Sequence, residues 1–252
     1  MDYRGTLTKS CPCGREFVRI FVLIAVLIAS AQMAWPQVPV PTRPALEPIR
    51  TPPARTSNDS AQRKTSTPYT GDLSIFDNPE RDKKLQIERV MDILNIRAGA
   101  TVADIGAGSG WFTVRAAKRV GDRGTVYAVD INPEAIKYIN DRTQKNNMPN
   151  VRTILSTPDD PKLPANSVDS VLILKTYHEI ADPVRLLENL RKSLRPGAHV
   201  GIIDRNGNGE DHGIEKSVVE QEAGRAGYRL TGDYGFVKAD REDYFLVLQP
   251  NH

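Results

Sequence analysis

From residue 75 onward, short apolar runs alternate with segments that are apolar at every third or fourth position. The runs are the length of strands, and the spacing in the other segments gives each one a single apolar helical face. Strands are predicted over Thr101–Ile105, Val126–Ile131, Val151–Leu155, Val168–Leu174, His199–Asp204, Arg229–Phe236 and Tyr244–Gln249. Helices are predicted over Trp111–Val120, Pro133–Asn146, Pro183–Leu194 and Ile214–Ala226, after a first helix that begins near Asn78 and carries Leu85, Ile87, Val90, Met91, Ile93 and Leu94.

This alternation predicts an α/β fold. A strand, a helix and a second parallel strand are joined by a right-handed crossover, so repetition builds a doubly wound sheet covered on both faces. Only the link at 156–167 is too rich in proline for a full helix. The last two strands are separated by a short charged turn at 238–243, which favours an antiparallel hairpin at one edge of a seven-stranded, mostly parallel sheet.

Residues 1–31 have a different pattern, typical of an export signal. Four basic residues precede an unbroken apolar run at 20–29, and Ala29-Ser30-Ala31 offers a cleavage site. If the run is counted from Phe17 to Trp35, an uncleaved membrane anchor is the alternative. Both versions place the rest of the chain outside the cytoplasm, in the periplasm of a bacterium. Translation from Met33 would remove the signal and leave a cytoplasmic protein.

Residues 32–74 form a proline-rich linker that we expect to be disordered. Seven prolines fall between Pro36 and Pro53, and a polar tract follows from Thr56 to Thr70. Such a composition cannot bury a core, and it favours a spacer over a ligand for a proline-binding module. The folded domain is therefore predicted at 75–252.

Composition narrows the class further. The 252 residues are 39% apolar and 26% charged, which suits one substantial core. The net charge of +3 comes from 34 basic and 31 acidic residues without a long block of one sign, which argues against nucleic acid as a partner. The two cysteines, Cys11 and Cys13, both precede the apolar run, and the sequence offers no four-ligand set with zinc spacing. No metal is expected.

The segment Val102–Thr113 carries the strongest functional pattern. An apolar strand runs through an acid into three alternating glycines and then into a helix, an arrangement that brings backbone N–H groups close to a ligand. A dinucleotide fingerprint would have its third glycine at Trp111. The residues expected to line the cofactor here are Asp104, Gly106, Ala107, Gly108 and Gly110.

This loop resembles the first motif of class I S-adenosylmethionine (SAM) methyltransferases. The resemblance covers residues 75–250 and is most specific at the glycine loop. Within this class, the chain is similar to methyltransferase type 11 and quinone-methylating enzymes. It implies a Rossmann-like fold, SAM as cofactor and a small-molecule or lipid acceptor. The alternatives are a non-catalytic binding module, which an exported domain far from cytoplasmic SAM would favour, and a nucleotide-dependent oxidoreductase, which Trp111 disfavours.

Two further acidic elements follow the second and third strands. Asp130 ends the second strand about twenty residues after the glycine loop, where a carboxylate can accept hydrogen bonds from both ribose hydroxyls. Ile131 would then lie against the adenine. The resemblance implies that an acid after the third strand receives the adenine amino group, and either Asp159 or Asp160 can serve.

The segment after the fourth strand is the candidate acceptor side. The resemblance implies that Lys175 contacts the methionine end of the cofactor, although relatives commonly carry an acid or amide there. Tyr177, His178 and Glu179 are the candidate catalytic residues, because His178 or Glu179 could take a proton from an acceptor hydroxyl. Two later polar residues, His212 and Asp204, are interpreted as a surface histidine and a structural acid.

Overall fold

The computed structural model describes residues 63–237 and 242–251. The predicted export signal or anchor and the linker up to residue 62 lie outside these residues. No helix within the described ranges has the length and apolar character needed to cross a membrane.

The elements follow the predicted alternation. The strands are β1 Thr101–Ile105, β2 Thr125–Asp130, β3 Val151–Leu155, β4 Val168–Leu174, β5 Leu194–Arg205, β6 Tyr228–Tyr234 and β7 Asp243–Pro250. The helices are α1 Arg81–Leu85, α2 Ile87–Ile93, α3 Trp111–Val120, α4 Pro133–Lys145, α5 Pro183–Arg191 and α6 Lys216–Arg225, with 3-10 turns at Leu73–Asp77 and Tyr177–Glu179.

The seven strands form one sheet in the order β3-β2-β1-β4-β5-β7-β6. The first five strands pair in parallel, and β7 pairs antiparallel with both β5 and β6. The predicted mostly parallel, doubly wound sheet with an antiparallel edge is therefore confirmed. Neighbouring residues of β1 face opposite cores, with Val102 packed among α1, α2 and α3 and Ala103 on the side of α5 and α6.

The later strand of the edge hairpin lies inside the sheet, and the earlier one forms its edge. The first six residues of β7 are all buried, whereas most of β6 after Tyr228 is exposed or half-buried. The apolar run Tyr244–Leu248 needs cover on both faces and a partner strand on each side. The more polar β6 tolerates an edge position.

The single first helix predicted from Asn78 is wrong, because the structure divides it at Gln86. This residue adopts a left-handed conformation (φ 48°) and separates α1 from α2. Leu85 and Ile87 stand about 200° apart on a continuous helix and could not face the same core. The break allows both to be buried, while Ile87 and Val90 keep the helical spacing.

The fifth strand begins five residues earlier than predicted. Helix α5 ends at Arg191, and β5 starts at Leu194 instead of His199. The Ser193 carbonyl accepts hydrogen bonds from the backbone N–H groups of Ser167 and Val168, at 2.8 and 3.0 Å. Leu194 then pairs with Val168 ahead of an irregularity in the register. Pairing with β4 thus extends the strand through a segment with no strand-like pattern.

Residues 63–74 of the predicted linker contact the domain. The Arg63 guanidinium lies 2.8 Å from the Glu222 carboxylate and donates to the carbonyls of Tyr177 and Ile180, at 2.5 and 2.7 Å. Its side chain is 12% exposed and that of Glu222 is 11% exposed. Burial raises the pKa of the Glu222 carboxyl, and the charge of Arg63 opposes that rise. The contacts of the fold therefore begin at Arg63, well before residue 75.

We predict that Arg63→Ala destabilises the full chain by about 1–3 kcal/mol, because it leaves a buried carboxylate without its cation and two carbonyls without their donor. Urea unfolding measures the change. Lys64→Ala is the matched control, since its pair with Glu210 is exposed (71% and 59%), and it should change stability by less than about 0.5 kcal/mol. Equal losses in the two variants would contradict an anchored segment.

Candidate active site

The candidate site lies where the strand order reverses, at the carboxyl ends of β1 and β4. Crossovers leave these two strands in opposite directions, which opens a crevice between their loops. The loops touch at one point, where Thr176 Oγ1 lies 3.4 Å from the Gly106 carbonyl oxygen. A Cβ on Gly106 would overlap the Thr176 side chain, so glycine is required for this approach.

The glycine loop after β1 is left-handed at all three glycines. Gly106, Gly108 and Gly110 have φ of +71°, +55° and +72°. A Cβ on Gly110 would come within 3.0 Å of Ile139, whereas one on Gly108 would meet only Phe76 at 3.9 Å. Open space therefore lies against the backbone of Gly108, and a ligand can approach the chain there.

Asp130 is joined to this loop. Its carboxylate accepts hydrogen bonds from the backbone N–H groups of Gly108 and Asn132, at 2.8 and 2.9 Å. Burial raises its pKa, and these N–H donors act in the opposite direction. The side chain of the next residue, Ile131, is 44% exposed. The predicted pair thus lies at the mouth of the crevice, with Ile131 open to a flat apolar ligand.

Asp104 lies beneath the glycine loop instead of at its surface. Its buried carboxylate accepts a hydrogen bond from Thr113 Oγ1 at 2.6 Å, which ties β1 to the first turn of α3. Burial raises the pKa of Asp104 to about 7, and the bonds from Thr113 lower it only in part. The structure gives this residue a role in supporting the loop.

Trp111 fills the position where a dinucleotide fingerprint has its third glycine. Its side chain is buried, and the guanidinium groups of Arg81 and Arg115 lie 4.7 and 3.9 Å from the ring centroid. Cation–π contacts of this kind stabilise a packed indole. The start of α3 is therefore part of the core.

The 3-10 turn before α1 is fastened to the glycine loop and to α4. Asp77 accepts hydrogen bonds from Ser109 Oγ at 2.8 Å, the Tyr138 hydroxyl at 3.2 Å and Arg142 at 2.5 Å. Phe76 of the same turn is the residue nearest to the open face of Gly108. This turn borders the space available to a ligand.

The two acids predicted to reach the adenine are both engaged in their own turn. Asp159 forms an ion pair with Arg185 Nε at 2.9 Å and accepts from Thr157 Oγ1 at 3.1 Å. Asp160 accepts from the backbone N–H of Lys162 at 2.8 Å. Their assignment to the cofactor remains a prediction, and these local contacts explain the turn without a ligand.

Lys175 adopts a left-handed conformation (φ +56°), and its ammonium group lies 2.5 Å from Asp243 Oδ1. That oxygen accepts no well-aligned hydrogen bond among the described residues, so the contact is a charge pair and not a hydrogen bond. Asp243 is buried at the start of β7. The lysine thus joins the loop after β4 to the edge hairpin, and its contact with the cofactor stays a prediction.

Tyr177 belongs to the core. Its ring is fully buried, its hydroxyl donates to Glu222 at 2.9 Å, and the Arg63 guanidinium lies 5.1 Å from its centroid. Burial raises its pKa well above the usual value. These contacts assign the tyrosine a packing role, in contrast to the catalytic role expected of it.

His178 and Glu179 do lie together beside the crevice. His178 Nδ1 is 2.9 and 3.0 Å from the two carboxylate oxygens of Asp204, which also accepts the His178 backbone N–H at 3.0 Å. Burial raises the pKa of Glu179 to about 7; His178 opposes the rise, and the charges of Asp130 and Asp204 add to it. Glu179, which follows β4, and Asp130, which ends β2, lie at the same edge of the sheet, where the parallel strands end.

Two contacts were missed by the sequence analysis. Asp204 orients His178, and the His212 ring packs edge to face against the His178 ring with centroids 5.8 Å apart. Asp204 is the next-to-last residue of β5, the neighbour of β4 in the sheet, so the strand order, which the sequence analysis did not predict, accounts for its proximity. His212 is exposed as predicted, but the sequence gives no indication that it meets His178.

Comparison with known proteins agrees with this geometry. The fold and the glycine loop define a nucleoside-binding α/β domain, and a family described as a methyltransferase domain matches residues 96–225, just over half of the chain. The chain belongs to this methyltransferase family. The predicted class, a SAM-dependent methyltransferase domain, is thereby confirmed.

Individual relatives are more distant. The chain is 32% identical over 124 residues to an uncharacterized methyltransferase of Mycobacterium tuberculosis, covering 49% of this chain and 47% of that protein. It is 28% identical over 122 residues to a ubiquinone/menaquinone biosynthesis C-methyltransferase of Hydrogenovibrio crunogenus, covering 48% of each. The chain thus spans about half the length of these curated relatives.

Among solved structures, a SAM-dependent methyltransferase of Aquifex aeolicus superimposes with a TM-score of 0.65 at 26% identity. The match covers 71% of this chain and 98% of that one. The domain therefore carries the complete architecture of a known methyltransferase.

Because Asp104 is buried, we predict that the stability of the fold depends on pH. Its folded pKa of about 7 lies above the ordinary value of 3.8, so its ionisation destabilises the fold progressively as pH rises between those values. Asp104→Asn cannot ionise, and its stability relative to the wild type should rise by about 1–4 kcal/mol from about pH 5 to about pH 8. Urea unfolding without ligand measures this difference.

The exposed acid Asp122 provides the control, since Asp122→Asn should follow the wild-type profile over the same pH range. If the stability of Asp104→Asn changed with pH in parallel with that of the wild type, Asp104 would ionise normally in the folded state.

Proposed function

We propose that this protein transfers the methyl group of SAM to a small-molecule or lipid acceptor. One observation carries the proposal. Where the strand order reverses, the Gly108 N–H of the left-handed glycine loop donates a hydrogen bond to the Asp130 carboxylate, at 2.8 Å. Membership of the methyltransferase family supports it. The aligned share of the relatives is only about half, so the activity of the whole protein is part of the proposal.

The residues present fit this cofactor. The open face of Gly108 would lie against the nucleoside, the Asp130 carboxylate would accept from the ribose hydroxyls, and the exposed Ile131 would cover one face of the adenine. When bound, SAM supplies an activated methyl group on a sulfonium centre. The protein then needs mainly to hold an acceptor in line, because proximity and orientation account for much of such an acceleration.

His178 and Glu179 define the acceptor side in this proposal. They follow β4, next to the glycine loop, and Asp204 fixes the orientation of the His178 ring. A relative that is 28% identical and acts in ubiquinone and menaquinone biosynthesis supports an acceptor of the quinone type.

The amino-terminal pattern supports a separate proposal on location, namely that the domain is exported or anchored and works outside the cytoplasm. A tagged full chain is produced in bacterial cells, and a protease is added after the outer membrane is permeabilised. We expect the protease to digest the full chain. A version that starts at Met33 should be protected. Protection of both versions would place the protein in the cytoplasm.

We predict that Asp130→Ala weakens SAM binding about 10- to 100-fold, because a charged acceptor for the ribose hydroxyls contributes about 1.5–3 kcal/mol. Calorimetric titration of the full chain with SAM measures the dissociation constant. Asp122→Ala is the control, because this exposed acid precedes β2 at the opposite edge of the sheet and should leave the constant unchanged.

Absence of heat and of any thermal shift with SAM in the wild type would contradict the proposed function. A parallel titration with NADH tests the oxidoreductase alternative. We expect no binding, because the buried Trp111 replaces the glycine that a dinucleotide fingerprint requires.

A further inference from the structure

Three metal-ligating side chains converge beside the proposed acceptor position. His178, Glu179 and His212 each offer one ligand atom, and the three atoms lie within 4.8 Å of one another. His178 and Glu179 follow β4, whereas His212 comes from the loop after β5. We propose that these three residues bind a divalent transition-metal ion at the edge of the cofactor crevice.

The orientation of His178 suits a ligand. Both carboxylate oxygens of Asp204 accept backbone N–H groups, so Nδ1 of His178 donates to it as well. Nε2 then presents its lone pair toward Glu179, whose Oε1 is 3.9 Å away. A carboxylate on the far nitrogen of an imidazole is the usual outer partner of a metal-binding histidine, because it fixes the tautomer and raises the basicity of the ligand nitrogen. Asp204 is itself held by the backbone N–H of Arg205 at 2.9 Å.

The backbone fixes the position of His212. Its N–H donates to Ser66 Oγ at 3.0 Å, and the buried Ser66 hydroxyl donates in turn to the Gly209 carbonyl at 3.0 Å. His212 itself is left-handed (φ +59°), a conformation in which histidine is enriched among non-glycine residues. Ser66, in the segment 63–74, thus holds the loop in place while the His212 side chain remains at the surface.

The spacing and the donor types select the kind of metal. Metal–ligand bonds of about 2.1 Å in a tetrahedral site place the ligand atoms about 3.4 Å apart. The three atoms here must therefore move about an ångström closer together to bind a metal. Rotation of the exposed His212 ring can supply this movement. Two imidazoles and one carboxylate favour Zn²⁺, Fe²⁺, Co²⁺ or Mn²⁺ over Mg²⁺ and Ca²⁺, which prefer oxygen ligands alone.

Three protein ligands leave at least one coordination position open. In that position a metal would bind a hydroxyl or thiol of the acceptor and lower its pKa, with the proton released to solvent, which makes the acceptor a better nucleophile. This role rests on the proposed methyl transfer. The metal site itself does not, and the two can be tested separately.

The test uses the full chain after treatment with a chelator and without SAM. Zn²⁺ is titrated by calorimetry, and Co²⁺ is followed by the visible absorption that a nitrogen- and oxygen-ligated site produces. We expect one equivalent to bind. His212→Ala should lower the affinity at least about tenfold and change the Co²⁺ spectrum, and Glu179→Gln should have a similar effect.

His199→Gln is the matched control, because it removes a histidine of β5 that lies outside the cluster and pairs with Gln249. It should leave both titrations unchanged. Asp204→Asn tests the outer partner and should weaken the metal about 10- to 100-fold. Because that variant alters a buried group, His212→Ala, which removes an exposed ring, is the decisive one.

Failure of the wild type to bind either metal, or equal affinity in His212→Ala, would overturn the metal site. A SAM titration of the same preparation separates the two proposals. SAM binding without metal binding refutes the metal site alone, whereas metal binding without SAM binding supports the site and removes the proposed function.

Discussion

The hydrogen bond from the Gly108 N–H to the Asp130 carboxylate is the contact on which the site depends. It joins the loop after β1 to the end of β2, and it requires a chain that turns back through three left-handed residues. Such turns are strained for residues with a Cβ. Glycine at these positions therefore allows the backbone itself to form one wall of the crevice, with Asp130 bound to the same wall.

The parallel sheet explains why so many polar groups meet at one edge. Strands that run in the same direction end at the same side, so β1, β2, β4 and β5 deliver the glycine loop, Asp130, His178 and Asp204 to one region. Burial at this edge raises the pKa of both Asp104 and Asp130. The Thr113 hydroxyl on Asp104 and the backbone N–H groups on Asp130 offset part of the cost of burying these acids.

Residues 63–77 complete the edge of the site from outside the sheet. Arg63 joins Glu222 to the carbonyls of Tyr177 and Ile180, and Ser66 holds the loop that carries His212. Asp77 fastens its 3-10 turn to the glycine loop. None of these contacts follows from periodicity, because the segment is polar and rich in turns. Long-range ion pairs and hydrogen bonds position it.

Local pattern determined most of the secondary structure and the class of this protein. Strand and helix periods depend on residues close in sequence, and they predicted the doubly wound sheet. The glycine loop and Asp130 are equally local, and their resemblance to known methyltransferases implied the family and the cofactor. Tertiary structure alone decided the break at Gln86, the inner position of β7, the burial of Tyr177 and the pairing of Lys175 with Asp243. It also brought His178, Asp204 and His212 together. These outcomes depend on competition for buried positions and on contacts between distant segments, which no local spacing specifies.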